Sequence, residues 1–249
     1  MRKGSGTCFP HKEGSALAQE RIQKLIAEAG LCSRRTAEQW IAEGRVCVNG
    51  ARALLGQRAE PQEITVDGVP LAAGGEKRYL MLNKPRGYVC TLSDEKGRPT
   101  VAQLVADCGA RVYPVGRLDL DSEGLLLLTN DGAWMQRLLH PRYEIDKTYQ
   151  VSVAGAVEGC EKRLAALTAL DGEPIRPARV HVLRRGKDTA LLSVTIHEGK
   201  NRQIRRMCAA CSLHVKRLRR VAEHTLALGS LPEGAWRDLT PQELAAMTE

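Results

Sequence analysis

The sequence predicts an α+β protein in two parts: a small helix–helix–hairpin unit, then a larger unit in which strands predominate. Three observations point there. Apolar residues recur at helical spacing from Ile22 to Ile41 and then give way to short strands around Asn49-Gly50. A stretch holding Pro70 and Gly74-Gly75 breaks the pattern. Beyond Lys77, the alternation of Tyr149, Val151 and Val153 reads as a half-buried strand, and the unbroken run Leu125, Leu126, Leu127, Leu128 as a strand covered on both faces.

In chain order, residues 1–18 are rich in Gly, Ser and charge without a period, and are expected to form a disordered tail. Ile22, Leu25, Ile26 and Ala29 share one helical face, and Gly30 suits the C-terminal cap. Ser33 can cap a second helix over 34–43, with Ala37, Trp40 and Ile41 inward and Gly44 as the stop. Residues 45–48 form a short strand ending in the hairpin turn Asn49-Gly50, and a second strand over 64–66 ends at Asp67-Gly68. The expected division is therefore 19–68 for the small unit, 69–77 for the linker and 78–249 for the large unit. Within the large unit, strands are expected at 79–82, 125–129, 149–153, 178–183 and 191–197. Helices are expected at 132–139, 158–167 and 201–210.

Of the 249 residues 43% are hydrophobic but only 4% aromatic, so aliphatic side chains must fill the core. No charge-free stretch approaches the roughly 20 residues of a membrane helix, and the first residues hold no apolar signal core, which makes the cytoplasm the default location. Eight scattered cysteines suggest small buried hydrophobes. The one C-x-x-C pair, Cys208 and Cys211, lacks the second pair a structural zinc site needs. The net charge of +8 fits either a polyanionic partner or a merely basic surface.

The distribution of charge favours the partner. Residues 21–58 hold seven Arg or Lys against three Glu. Arg34 and Arg35 fall in the first turn of the second helix, where cations oppose the helix dipole but the free backbone donors can hold a phosphate. Residues 198–220 hold eight Arg or Lys against one Glu, and Arg202, Arg205 and Arg206 are spaced to share one face of a helix starting at Asn201. Such a face repels itself unless an anion sits on it, and binding through it should weaken steeply with salt.

The sharpest segment is Gly116-Arg117-Leu118-Asp119-Leu120-Asp121-Ser122-Glu123-Gly124, followed by the Leu run and Thr129-Asn130-Asp131-Gly132. A calcium loop fails because Asn130 stands where a bidentate Glu is required and the Leu run interrupts the ligands. Two readings stay open: a solvated polar turn, or a catalytic loop whose carboxylate, beside Arg117, stays ionised at the edge of a buried strand. A zinc deaminase built from His197 and the cysteine pair is rejected, since Glu198 directly follows His197 and Met207, not Pro, precedes Cys208.

Four segments together resemble the RsuA/RluB/RluE/RluF family of pseudouridine synthases. They are Asn83-Lys84-Pro85-Arg86-Gly87, the Gly116–Thr129 segment, Lys147-Thr148-Tyr149, and the run from Glu198 through Gln203-Ile204-Arg205-Arg206-Met207. The small unit is similar to the α-L RNA-binding motif. The resemblance implies the pseudouridine synthase core, a long mostly antiparallel sheet with flanking helices and a cleft across its middle. It implies that Asp119 is the essential carboxylate, acting at the ribose as nucleophile or base. Tyr149 would stack on the flipped uracil, Arg205 would pair with Asp119, and Ile204 would pack under the base. Substrate contacts are implied for Lys84, Arg117, Lys147, Arg202 and Arg206, and RNA contacts for Arg34, Arg35 and Arg45. No metal or organic cofactor is implied. The expected partner is ribosomal RNA or a pre-ribosomal particle, bound by a monomer. Residues 91–130 look most like the RluB branch, which favours large-subunit (23S) over small-subunit (16S) rRNA. A non-catalytic ribosome-assembly factor is the competing class. The sequence departs from the family pattern at Cys208, Cys211 and Val221-Ala222-Glu223-His224, and the tail has no counterpart.

Overall fold

The computed structural model describes residues 19–72 and 75–247, so the expected disordered tail lies outside the described residues. The chain divides into two compact units between Gly75 and Glu76.

In the first unit, α1 (Ile22–Glu28) buries Ile22, Leu25 and Ile26. Ser33 caps α2 (Arg34–Ala42): its Oγ accepts the Thr36 N–H at 3.1 Å, and Ala37 and Ile41 turn inward. Asn49 and Gly50 both have positive φ, as the tight hairpin joining β1 (Val46–Val48) to β2 (Ala51–Arg52) demands. Asp67-Gly68 repeats that geometry and does not end the unit. It turns β3 (Ile64–Val66) into β4 (Val69–Pro70), and Leu71 beyond it is buried. The sheet runs β2-β1-β3-β4. The expected linker start at residue 69 is thus corrected. Pro70 had read as a breaker, but it sits on an edge strand, where its missing N–H costs nothing.

In the second unit, the strands are β5 (Tyr79–Lys84), β6 (Glu123–Thr129), β7 (Lys147–Gly155), β8 (Arg179–Arg185), β9 (Thr189–Ile196), β10 (Leu213–Glu223) and β11 (Trp236–Asp238). They order as β8-β9-β7-β10-β6-β5-β11 within a sheet of nine strands, the other two being short flanking pieces. Neighbours along this path are antiparallel except β10 and β6, which run parallel where Arg219 and Arg220 meet Glu123 and Gly124. That junction requires glycine: Gly124 has φ +104°, and a Cβ there would lie 2.2 Å from the Arg220 carbonyl oxygen.

The Leu run is fully buried. Leu126 and Leu128 join a core with Leu80, Leu82 and Val151, while Leu125 and Leu127 face a second core with Met81 and Trp134. Helix α3 (Gly132–Leu139) carries Trp134 and starts at Asp131, whose Oδ1 accepts from the Ala133 and Trp134 N–H groups. Helix α4 (Cys160–Ala165) is shorter than expected because Gly159 adopts the left-handed conformation. Helix α5 (Gln203–Ala210) begins two residues later than expected, with Arg202 left-handed at its cap. The last described helix, α6 (Pro241–Ala246), starts with a Thr240/Glu243 capping box. Cys208 and Cys211 are core residues, and burial pushes the Cys208 thiol up to about 12.

Strand β10, at the centre of the sheet, was not anticipated. Its sequence holds four Lys or Arg, and two bulges against β7, at Thr148/Tyr149 and at Ser152/Val153, break the alternation that would have revealed it. No described helix is long and apolar enough to cross a membrane.

Candidate active site

The loop ahead of β6 is held from within. Lys84, at the end of β5, is fully buried, and its Nζ donates to the carbonyls of Pro85 (2.9 Å), Asp119 (3.2 Å) and Ser122 (2.8 Å). Three acceptors use up all three ammonium protons. Burial lowers the pKa of this amine, against the pull of Cys90, Asp119, Asp121 and Glu123. The expected substrate contact by Lys84 is therefore corrected: enclosed as it is, the lysine shapes the loop. The Ser122 N–H donates to the Asp119 carbonyl at 3.0 Å, which closes the turn.

The loop presents two carboxylates to α5. Asp121 accepts from both Arg202 nitrogens, at 3.2 and 3.1 Å, and lies 3.3 Å from Arg205 Nη2. Burial raises its pKa, but Arg202 and Arg205 outweigh that and hold it below the ordinary carboxylate range. Asp119, about one-third exposed, has Arg202 at 3.5 Å. Arg205 donates to the Asp121 carbonyl at 2.9 Å and to Ser122 Oγ at 3.4 Å. The expected Asp119–Arg205 pair is not formed: Arg205 is committed to Asp121 and Ser122, and Arg202 takes its place beside Asp119. Arg117 is exposed and lines the space beside Asp119.

Asp119 lines two concavities. One, of about 280 Å³, is walled by Arg117, Asn201 and Arg202 and by the apolar surfaces of Tyr149, Ile204 and Leu218. The other, of about 490 Å³, includes Cys90, Asp94, Arg98, Arg117 and Asn201. Tyr149 is 8% exposed. Burial raises its phenol pKa, and the adjacent Arg220 works against the rise.

Two expected substrate contacts lie away from these concavities. Lys147 donates to the Ile145 carbonyl at 3.3 Å, leans toward Glu223 at 4.0 Å and lines a separate recess of about 160 Å³ with His197. Arg206 is held by Asp171, Nε to Oδ2 at 2.8 Å. The single guanidinium face expected of Arg202, Arg205 and Arg206 is therefore split between the cap, Asp121 and Asp171. In the first unit, Arg34 and Arg35 are exposed at the start of α2. Arg45 stacks on Trp40 at 4.5 Å and forms a two-pronged pair with Asp67.

The sequence matches the RNA pseudouridylate synthase family over residues 78–210 and the S4 domain over residues 20–69. The chain belongs to the RNA pseudouridine synthases. It is 42% identical over 230 residues to the ribosomal large subunit pseudouridine synthase B of Bacillus subtilis, covering 90% of this chain and 94% of that protein. It is 42% identical to an uncharacterized RNA pseudouridine synthase of Aquifex aeolicus, over 93% and 94% of the two chains. To the dual-specificity RNA pseudouridine synthase RluF of Escherichia coli it is 36% identical, over 90% and 77%. A crystal structure of a pseudouridylate synthase superimposes with a TM-score of 0.65 at 34% identity, covering 91% of this chain and 99% of that one. This pseudouridine synthase of the RluB/RluF type thus carries an RNA-binding S4 domain ahead of its synthase core. Sequence reasoning missed the part played by Asp121, although it sat in view within the loop as an acid two residues from Asp119.

Proposed function

We propose that this synthase isomerises a specific uridine of ribosomal RNA, in the 23S rRNA of the large subunit, with Asp119 as the reacting carboxylate. The observation that carries the reading is the placement of Asp119 in the wall of a concavity that Tyr149, Ile204 and Leu218 also line. A flipped uracil needs that combination: an apolar and aromatic surface to replace its lost stacking, and a carboxylate at the ribose end. Extruding a base costs a few kcal/mol, and stacking on an aromatic ring returns about 1–3 kcal/mol. The bond from C1′ to N1 breaks, the uracil turns, and C1′ bonds to C5. The C5 proton leaves and N1 gains one, so no redox partner is needed. Asp119 acts at the ribose as nucleophile or base, and Tyr149 stacks on the turning ring and assists loss of the C5 proton. Arg205 fixes the loop through Asp121 and Ser122, and Arg202 and Arg117 face the phosphates. The choice of 23S rRNA is supported by the names of the RluB-type relatives. The protein acts as a cytoplasmic monomer on rRNA or on a pre-ribosomal particle.

Mapping pseudouridines in rRNA from cells lacking the protein tests this. One 23S site should vanish and return with the wild type but not with Asp119→Asn. Loss of a 16S site instead would move the target to the small subunit. Persistence of every site would favour a non-catalytic assembly role.

A further inference from the structure

The Asp119 loop leads into a strand that is not a neighbour of the strand carrying Tyr149. That loop runs into β6, Tyr149 is on β7, and β10 lies between them. One residue meets both strands. Arg220, on β10, is 2% exposed, its Nε donates to the Leu125 carbonyl of β6 at 2.7 Å, and it stands directly across from Tyr149 of β7 as its cross-strand partner. Its Nη2 lies 3.3 Å from Oε2 of Glu223, itself 1% exposed. Lys147 Nζ lies 4.0 Å from the other oxygen of that carboxylate. The Arg220 backbone is the surface against which Gly124 is packed.

Stability does not account for this residue. A buried ion pair is often no better for stability than apolar side chains of the same volume, and the surrounding core is aliphatic. A rigid planar fork, however, spreads its donors over several ångströms at fixed angles, whereas a lysine offers one compact ammonium and an apolar residue offers no donor.

We propose that Arg220 is a positioning residue of the isomerisation, holding the Leu125 carbonyl on one side and standing against its cross-strand partner Tyr149 on the other, so that the spacing between the Tyr149 ring and the Asp119 loop is fixed across the intervening strand. Glu223 orients the fork. This rests on the roles given above to Asp119 and Tyr149.

The test uses single-turnover conversion, with enzyme in excess, of rRNA purified from cells lacking the protein, read by mass spectrometry of pseudouridine. Wild-type turnover and its loss in Asp119→Asn report on the functional reading alone. Given both, Arg220→Lys should bind this RNA within about threefold of wild type yet react about 10–100-fold more slowly, the scale of loss expected when reacting groups are misplaced by about an ångström. In a Tyr149→Phe background the same substitution should add less than about a threefold loss, because both changes alter one cross-strand pair. Thermal melts separate this from unfolding, since the rate loss should persist at temperatures where the variant is fully folded. An Arg220→Lys rate within about twofold of wild type would overturn the proposal, as would losses that multiply fully with Tyr149→Phe. A rate that tracks only the folded fraction would do the same.

Discussion

Replacing Gly124 with alanine should damage stability and turnover together. The added methyl carbon would lie 2.2 Å from the Arg220 carbonyl oxygen and 2.8 Å from its nitrogen, both backbone atoms, so no side chain can swing aside. The backbone at φ +104° is also one that L side chains rarely adopt. The backbone strain costs about 1–3 kcal/mol, and relieving the overlap by parting the strands costs about another 1–3 kcal/mol. The total, roughly 2–6 kcal/mol, corresponds to a fall in melting temperature of about 4–24 °C for a unit of this size. The parted strands carry the Asp119 loop and Arg220, so a displacement of about 1 Å should also cut single-turnover rate on the order of 100-fold. Gly97→Ala is the control. It has φ +69° but no atom within 4 Å of the added methyl, so it should cost only about 1–2 kcal/mol. Calorimetry and single-turnover assays at a temperature where both variants are folded would decide. If Gly124→Ala melts and turns over like the Gly97 control, the parallel junction is not the constraint described.

Two further outcomes are expected. Arg237 holds the Glu243 carboxyl down to about 2, well below its ordinary 4.5. A depressed carboxyl stabilises the fold fully above its unfolded pKa and loses that contribution as pH falls through the folded one. The stability gap between wild type and Glu243→Gln in urea titrations should therefore be largest near neutrality and close between about pH 4.5 and 2, and a gap that stays constant would refute the pair's role. Arg34→Gln with Arg35→Gln should weaken binding to rRNA and reduce the slope of log affinity against log salt by roughly one to two, measured by filter binding, and an unchanged slope would remove the α2 start from the RNA contacts.

Most of the fold was legible because hydrophobic periodicity was strong where one face of an element met a core. The Leu run and the Tyr149, Val151, Val153 alternation located β6 and β7, and Ser33 located α2. Legibility failed where polar or special residues did structural work. Strand β10 buries Arg220 where pattern reading expects an apolar residue, and two bulges shift its faces. Pro70 had read as a boundary but occupies an edge strand. In the site, short motifs led to the Asp119 loop but not to its internal wiring. Local sequence does not say that Lys84 spends its protons on three carbonyls, or that Arg202 and Arg205 divide Asp121 between them. Those partnerships depend on which loops the sheet brings together.

The parallel pairing of β6 with β10 also bears on how the chain is made. β5 and β6 can pair soon after they leave the ribosome, but the contact from Arg220 to Leu125 spans 95 residues. Contacts of that separation close slowly, because loop entropy must be lost before they form. During synthesis the Glu123–Gly124 end of β6 therefore waits with its backbone groups unpaired on that edge until Arg220 has emerged, and uncovered edges are where chains associate with one another. The concavity beside Asp119 is completed by the last long strand to arrive, so an incompletely synthesised chain holds the Asp119 loop but neither the lining residue Leu218 nor Arg220. Truncations that stop before β10 should then aggregate instead of leaving a slower enzyme.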